Sequence, residues 1–132
     1  MDPRTARLDL AHDATAPRLA RRFLATVLQG WGVDDDIVDR SQLLVSELVS
    51  NAVLHGTGPV ELQVTETDAN VGVYRVEVSN PGHGVPAMRR TSNEELSGRG
   101  LQLVDSLARN WGSNNVDGHT CVWFDVGAVL AS

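Results

Sequence analysis

Residues 46–56 read SELVSNAVLHG, and three polar side chains recur in them at intervals of four: Glu47, Asn51 and His55. On an α-helix that spacing stacks all three along one stripe. The apolar residues around them keep the same period. Ile37, Leu44, Leu48 and Ala52 form a core stripe widened by Val45 and Val49, which predicts a helix from about Asp34 to His55. An acidic cluster suits its N-terminus, and Gly56 closes it. The polar stripe thus lies at the rim of an apolar face, where a ligand can rest against the core. A carboxylate one turn before a carboxamide is also common on solvated helix faces, so the stripe gains meaning only from its surroundings.

Upstream, residues 5–12 (TARLDLAH) alternate apolar and polar and read as a strand. Asp13, Thr15 and Pro17 then start a helix running to about Gln29, with Leu19, Phe23, Val27 and Leu28 on one face and Arg18, Arg21 and Arg22 facing away; Gly30 and Gly32 end it. Downstream, Pro59–Thr67 and Val71–Ser79 alternate as strands, joined into a hairpin by Asp68, Ala69 and Asn70. Residues 80–98 lack periodicity and have the length of a functional lid. A helix from about Gly100 to Asn110 follows, with Leu101, Val104, Leu107 and Ala108 inward, then strands near Trp111–Val116 and Thr120–Val129 joined through Asp117 and Gly118. This segregated order predicts an α+β, two-layer sandwich: a mixed, mostly antiparallel sheet with helices on one face, and no doubly wound parallel sheet. At 132 residues the chain is expected to be a single domain.

Composition narrows the chemistry. All eleven basic residues are arginine, which excludes lysine Schiff bases and the phosphate loop that ends in Gly-Lys-Ser/Thr. Phosphates, if bound, must be met by backbone amides, arginine or a metal. The formal net charge of -6 disfavours nucleic acid and favours a protein partner. The single cysteine, Cys121, sits in an apolar run and is expected to be a buried, inert thiol. No apolar run approaches a membrane span, and MDPRTARLDL lacks the order of a secretory signal, so the expected location is the cytoplasm.

Two glycine-bearing corners complete the pattern. Asn80-Pro81-Gly82-His83-Gly84 follows the strand VYRVEVS directly; glycines at a strand end allow a sharp turn or the close approach of a flat ligand. Ser97-Gly98-Arg99-Gly100-Leu101 opens the third helix, where bare amides can meet phosphate oxygens. Each has a bland reading as a turn or a flexible helix entry, and so do Arg89, Arg90, Thr91 and Ser92 in the lid as a solvated cluster.

In this order and spacing the three elements resemble the GHKL ATPase superfamily, whose signature is an E-x-x-x-N helix, a D-x-G-x-G box, a lid and a G-x-G box. The resemblance spans about residues 5–128, and ELVSNAVLHG with GRGLQLV is most similar to the free-standing RsbW-like anti-sigma factors, which are serine kinases acting on small antagonists. It implies a nucleotide site in which Glu47 is the general base or orienter of the attacking hydroxyl and Asn51 ligates Mg2+. Asn80, Gly82 and Gly84 would border adenine, Gly98, Arg99, Gly100 and Leu101 would meet the phosphates of ATP, and Thr120 would help hold the base. The implied partners are a sigma factor and an anti-sigma antagonist, with no nucleic acid or membrane, in a homodimer. His55 reads instead as a helix C-terminal group outside the site. One residue departs from the pattern: Asn80 stands where the family has aspartate, which keeps an acceptor oxygen and removes the charge. The expectation is that Asn80→Asp tightens ATP binding. The rival reading is a non-catalytic protein-binding regulator with a degenerate pocket.

Overall fold

The computed structural model describes residues 4–68, 72–81, 108–116 and 118–127. Strand β1 (Thr5–Leu10) leads to helices α1 (Ala16–Gly30) and α2 (Asp35–His55), then to β2 (Val60–Asp68), β3 (Val73–Pro81), β4 (Asn110–Val116) and β5 (His119–Gly127). The strands form one sheet in the order β1-β2-β3-β5-β4, and every pairing among the described residues is antiparallel. The predicted two-layer α+β arrangement is therefore the observed one, with no parallel pair among these five strands.

The period-2 pattern of the strands sets the core. On the helix side, register rows run Leu8–Leu62–Val78–Val122 and Ala6–Val64–Val76–Phe124, with Phe124, Leu62, Val64 and Val76 fully buried. Helix α2 lies over β2, β3 and β5, and the stripe read from its sequence is buried throughout: Ile37, Leu44, Val45, Leu48, Val49 and Ala52. Ser41 joins them by donating its hydroxyl to the Ile37 carbonyl at 2.8 Å.

Helix α1 differs in rotation from its sequence reading. Its buried line is Ala16, Ala20, Leu24 and Leu28, whereas Leu19 is 43% exposed and Phe23 and Val27 are half-buried. The cause is tertiary. α1 packs on α2 and β1, so the small residues Ala16 and Ala20 occupy the closely packed side. Arg21, expected to face away, bridges to α2: its guanidinium donates to Ser46 Oγ at 2.8 Å, and its backbone carbonyl accepts from Gln42 Nε2 at 3.1 Å. The helix ends in a Schellman motif, with Val33 N bonded to Leu28 O, Gly32 N to Gln29 O, and Gly32 at a φ of 80°.

Three boundaries differ from those read in the sequence. β1 stops at Leu10, opposite Val60, and the chain then turns toward α1 with Asp13 N donating to Ala11 O at 2.9 Å. The predicted third helix lies outside the described residues except at its end, where Asn110 already belongs to β4 and Arg109 N donates to Asp125 O at 2.8 Å. Asn80 and Pro81, read as the start of a loop, are the last two residues of β3, paired with Thr120 and His119 of β5. On the sheet face away from the helices, Arg75 forms a two-point pair with Asp125 (2.7 and 2.9 Å) and stacks 3.8 Å from the Trp123 ring. Cys121 shares that face and is half-buried where the sequence suggested a buried thiol; desolvation pushes its thiol pKa up.

Candidate functional site

Six polar or charged residues are buried among the described residues: Ser41, Asn51, Glu66, Asn80, Thr120 and Asp125. Three have plain structural reasons. Ser41 bonds its own helix, Glu66 receives two bonds from Arg4 (3.0 and 2.6 Å), and Asp125 holds Arg75. The other three, Asn51, Asn80 and Thr120, are all residues singled out in the sequence.

Asn80 and Thr120 face each other directly across β3 and β5, one row beyond Val78 and Val122, on the side covered by α2. The apolar rows of the sheet thus end in a polar one. Asn80 is 6% exposed and Thr120 5%, and Thr120 Oγ1 lies 2.9 Å from Asn115 Oδ1, to which it donates. The Asn80 amide donates from Nδ2 to the Thr57 carbonyl across 3.5 Å, a long bond.

The C-terminal end of α2 meets this polar row. A Cβ at Gly56 would come within 2.8 Å of both the Ala52 carbonyl and Asn80 Cγ, so the Asn80 side chain rests on the last turn of the helix. Asn51 immediately precedes Ala52 and is 5% exposed; Glu47, one turn earlier, is half-buried. The fold therefore sets the last turn of α2, the turn that follows Asn51, against the strand end that carries Asn80. His55 is half-buried at the helix terminus, with its Nε2 shielded from solvent.

The loop after α2 is tied to the same strand end. Thr57 Oγ1 donates to the Pro81 carbonyl at 3.1 Å, Gly58 takes a φ of 72° close against the Pro81 ring, and the Gly58 carbonyl lies 2.8 Å from His12 Nδ1. The sequence marks Gly56 only as a helix stop. Its role against Asn80 depends on a long-range contact that no local pattern announces.

A hollow of about 300 Å3 opens beside Asn80, Pro81 and His119, but its other walls include Asp9, Glu61 and Ser79, from the sheet face turned away from the helices. It includes neither Glu47 nor Asn51 and is not the cleft that the helix stripe borders. Gly82, Gly84, Gly98, Arg99, Gly100, Leu101 and the arginines at 89 and 90 lie outside the described residues. Among the described residues no three His, Cys, Asp or Glu side chains gather into a metal-binding group, and the oxygen-bearing side chains of the helix stripe are buried Asn51 and half-buried Glu47. Such a sparse set fits Mg2+, which keeps waters and takes phosphate oxygens in preference to an all-protein cage.

Residues 10–126 match the family model described as histidine kinase-like ATPase domain. No curated protein matches the chain. Among solved structures it is similar to a crystal structure of the RsbU and RsbW domains of Rv1364c from Mycobacterium tuberculosis, with a TM-score of 0.69 and 22% identity over 94% of this chain and 32% of that one. At that identity the likeness is one of fold, and this chain spans only about a third of the longer one.

Proposed function

Because the chain belongs to the histidine kinase-like ATPase domain family, we propose that residues 1–132 form one ATP-binding domain that phosphorylates a serine or threonine on a small anti-sigma antagonist and reversibly sequesters a sigma factor. The observation that supports this most is the polar row of Asn80 and Thr120 meeting the end of α2, where Asn51 is buried on the stripe that begins at Glu47. Thr120 and Asn80 meet part of their hydrogen-bonding need from Asn115 and Thr57, and the support lies in their coming together at the positions where the family resemblance implies the nucleotide. The RsbW domain named in the similar crystal structure supports an anti-sigma regulator among the possible kinases.

On this reading Glu47 accepts the proton of the antagonist hydroxyl as its oxygen bonds to the γ-phosphorus; the bond from that phosphorus to the bridging oxygen breaks and ADP leaves. Asn51 would hold Mg2+, which would supply neutralisation of the phosphate charge. Asn80, Thr120, Gly82 and Gly84 hold the adenine, and Gly98, Arg99, Gly100 and Leu101 meet the phosphates through amides and a guanidinium. The protein works in the cytoplasm as a homodimer, for which β1, at the sheet edge, offers a strand to pair. No helix among the described residues is long and apolar enough to cross a membrane.

A second reading, a protein-binding regulator with a degenerate pocket, draws on Asn80, which lacks the charge of the family aspartate. Radiolabelled ATP with a purified antagonist separates the two. Label on the antagonist, lost in Glu47→Gln, supports the kinase; sigma-factor binding with no transfer and no ATP-induced thermal shift supports the regulator.

A further inference from the structure

We infer that Gly56 and Thr57 act as positioning residues that fix which end of the Asn80 carboxamide faces the nucleotide, so that Asn80 presents its oxygen as an acceptor; this rests on the nucleotide reading above. Gly56 is not glycine for backbone reasons. Its φ of -101° and ψ of -174° are extended values open to any residue. A Cβ there would instead lie 1.7 Å from Asn80 Nδ2, and 2.8 Å from both Asn80 Cγ and the Ala52 carbonyl. The Ala52 carbonyl cannot retreat, because it accepts the Gly56 amide at 2.9 Å as the last bond of the helix. The space of the missing methyl is therefore occupied by the Asn80 amide.

Thr57 sets the direction of that amide. Its carbonyl faces Asn80 Nδ2, so a flipped carboxamide would oppose two oxygens. Thr57 is held in turn by its hydroxyl on the Pro81 carbonyl, and Gly58 by its contact with the Pro81 ring. With Nδ2 committed to Thr57, Oδ1 is the end available to a ligand. An acceptor matches the exocyclic amine of adenine and opposes the 6-oxo group of guanine. An aspartate at position 80 would set a carboxylate oxygen against the Thr57 carbonyl. This reverses the expectation from the sequence: Asn80→Asp loosens ATP binding in this chain, because its Asn is built into the Gly56–Thr57 turn.

The test has an arm without nucleotide and an arm with it. In the free protein, Gly56→Ala is expected to lower Tm by roughly 4–11 °C, the overpacking cost in a chain of this length, and by less in an Asn80→Ala background, where only the approach to the Ala52 carbonyl remains. Equal losses in both backgrounds overturn the clamp. In calorimetry with MgATP and MgGTP, wild type is expected to prefer ATP at least about 10-fold, Gly56→Ala to lose most of that preference, and Asn80→Asp to bind ATP more weakly. An Asn80→Asp variant that binds ATP more tightly, or a preference unchanged in Gly56→Ala, overturns the inference. Wild type that binds neither nucleotide while Gly56 and Asn80 still couple in Tm refutes the nucleotide reading itself, and with it the recognition role, leaving the turn as packing alone.

Discussion

Asn51→Leu separates what the fold needs from what the site needs. Asn51 is 5% exposed on the inward side of α2, within the apolar stripe of Leu44, Leu48 and Ala52. Leucine has the same branching and number of side-chain heavy atoms, although its methyl groups make it the bulkier of the two. Burying it gains about 1.5–3 kcal/mol at most, against about 0.5–1.5 kcal/mol for each hydrogen bond lost with the carboxamide, so the free protein should change by about 1 kcal/mol or less. An unfolding entropy of about 2 cal/mol/K per residue makes that about 4 °C in Tm for this chain. MgATP at about 100 times its Kd should add about 2.7 kcal/mol, or about 10 °C, to wild type, and Asn51→Leu should forfeit most of that gain because it has no oxygen for the ion. Differential scanning calorimetry of both proteins, without nucleotide, with ATP in Mg2+ and with ATP in chelator, measures all six values. A variant that keeps the full Mg2+-dependent shift shows that Asn51 does not ligate the ion. One that unfolds far below wild type without nucleotide shows that the carboxamide is structural.

Three further outcomes are expected. Glu47→Gln should cut phosphate transfer by about 100-fold or more while calorimetric affinity for MgATP stays within about twofold, since the change removes a base and keeps the shape; a loss confined to affinity would reassign Glu47 to binding. The Arg4 guanidinium holds the Glu66 carboxyl below its usual range. A carboxylate with a depressed folded pKa stabilises the fold above the unfolded value of about 4.3 and loses that contribution as pH falls through the folded value, so acid titration of unfolding should show a shallower slope below about pH 4.3 in Glu66→Gln than in wild type. Phe124→Ala, at a fully buried site in the middle of the sheet, should destabilise by about 3–5 kcal/mol in urea unfolding without preference for either nucleotide state.

Read alone, the sequence determined the layers and most of the elements, because both follow from local periodicity. The 3.6-residue stripe of α2 and the alternation of β2, β3 and β5 each identify a buried side without knowledge of the partner. It also marked Glu47 and Asn51, by their spacing of four, and Asn80, at the head of a glycine corner, while Thr120 was marked only by the family resemblance. Which side of α1 turns inward was decided by contact with α2 and β1, where alanines outcompete leucine for a narrow gap. The insertion of β5 between β3 and β4 likewise exists only in the folded sheet, and it alone sets Thr120 opposite Asn80. Gly56 shows the limit most clearly. Glycine after a helix reads as a stop, but here its missing methyl makes room for a side chain 24 residues away, and contacts across such a distance leave no trace in local pattern.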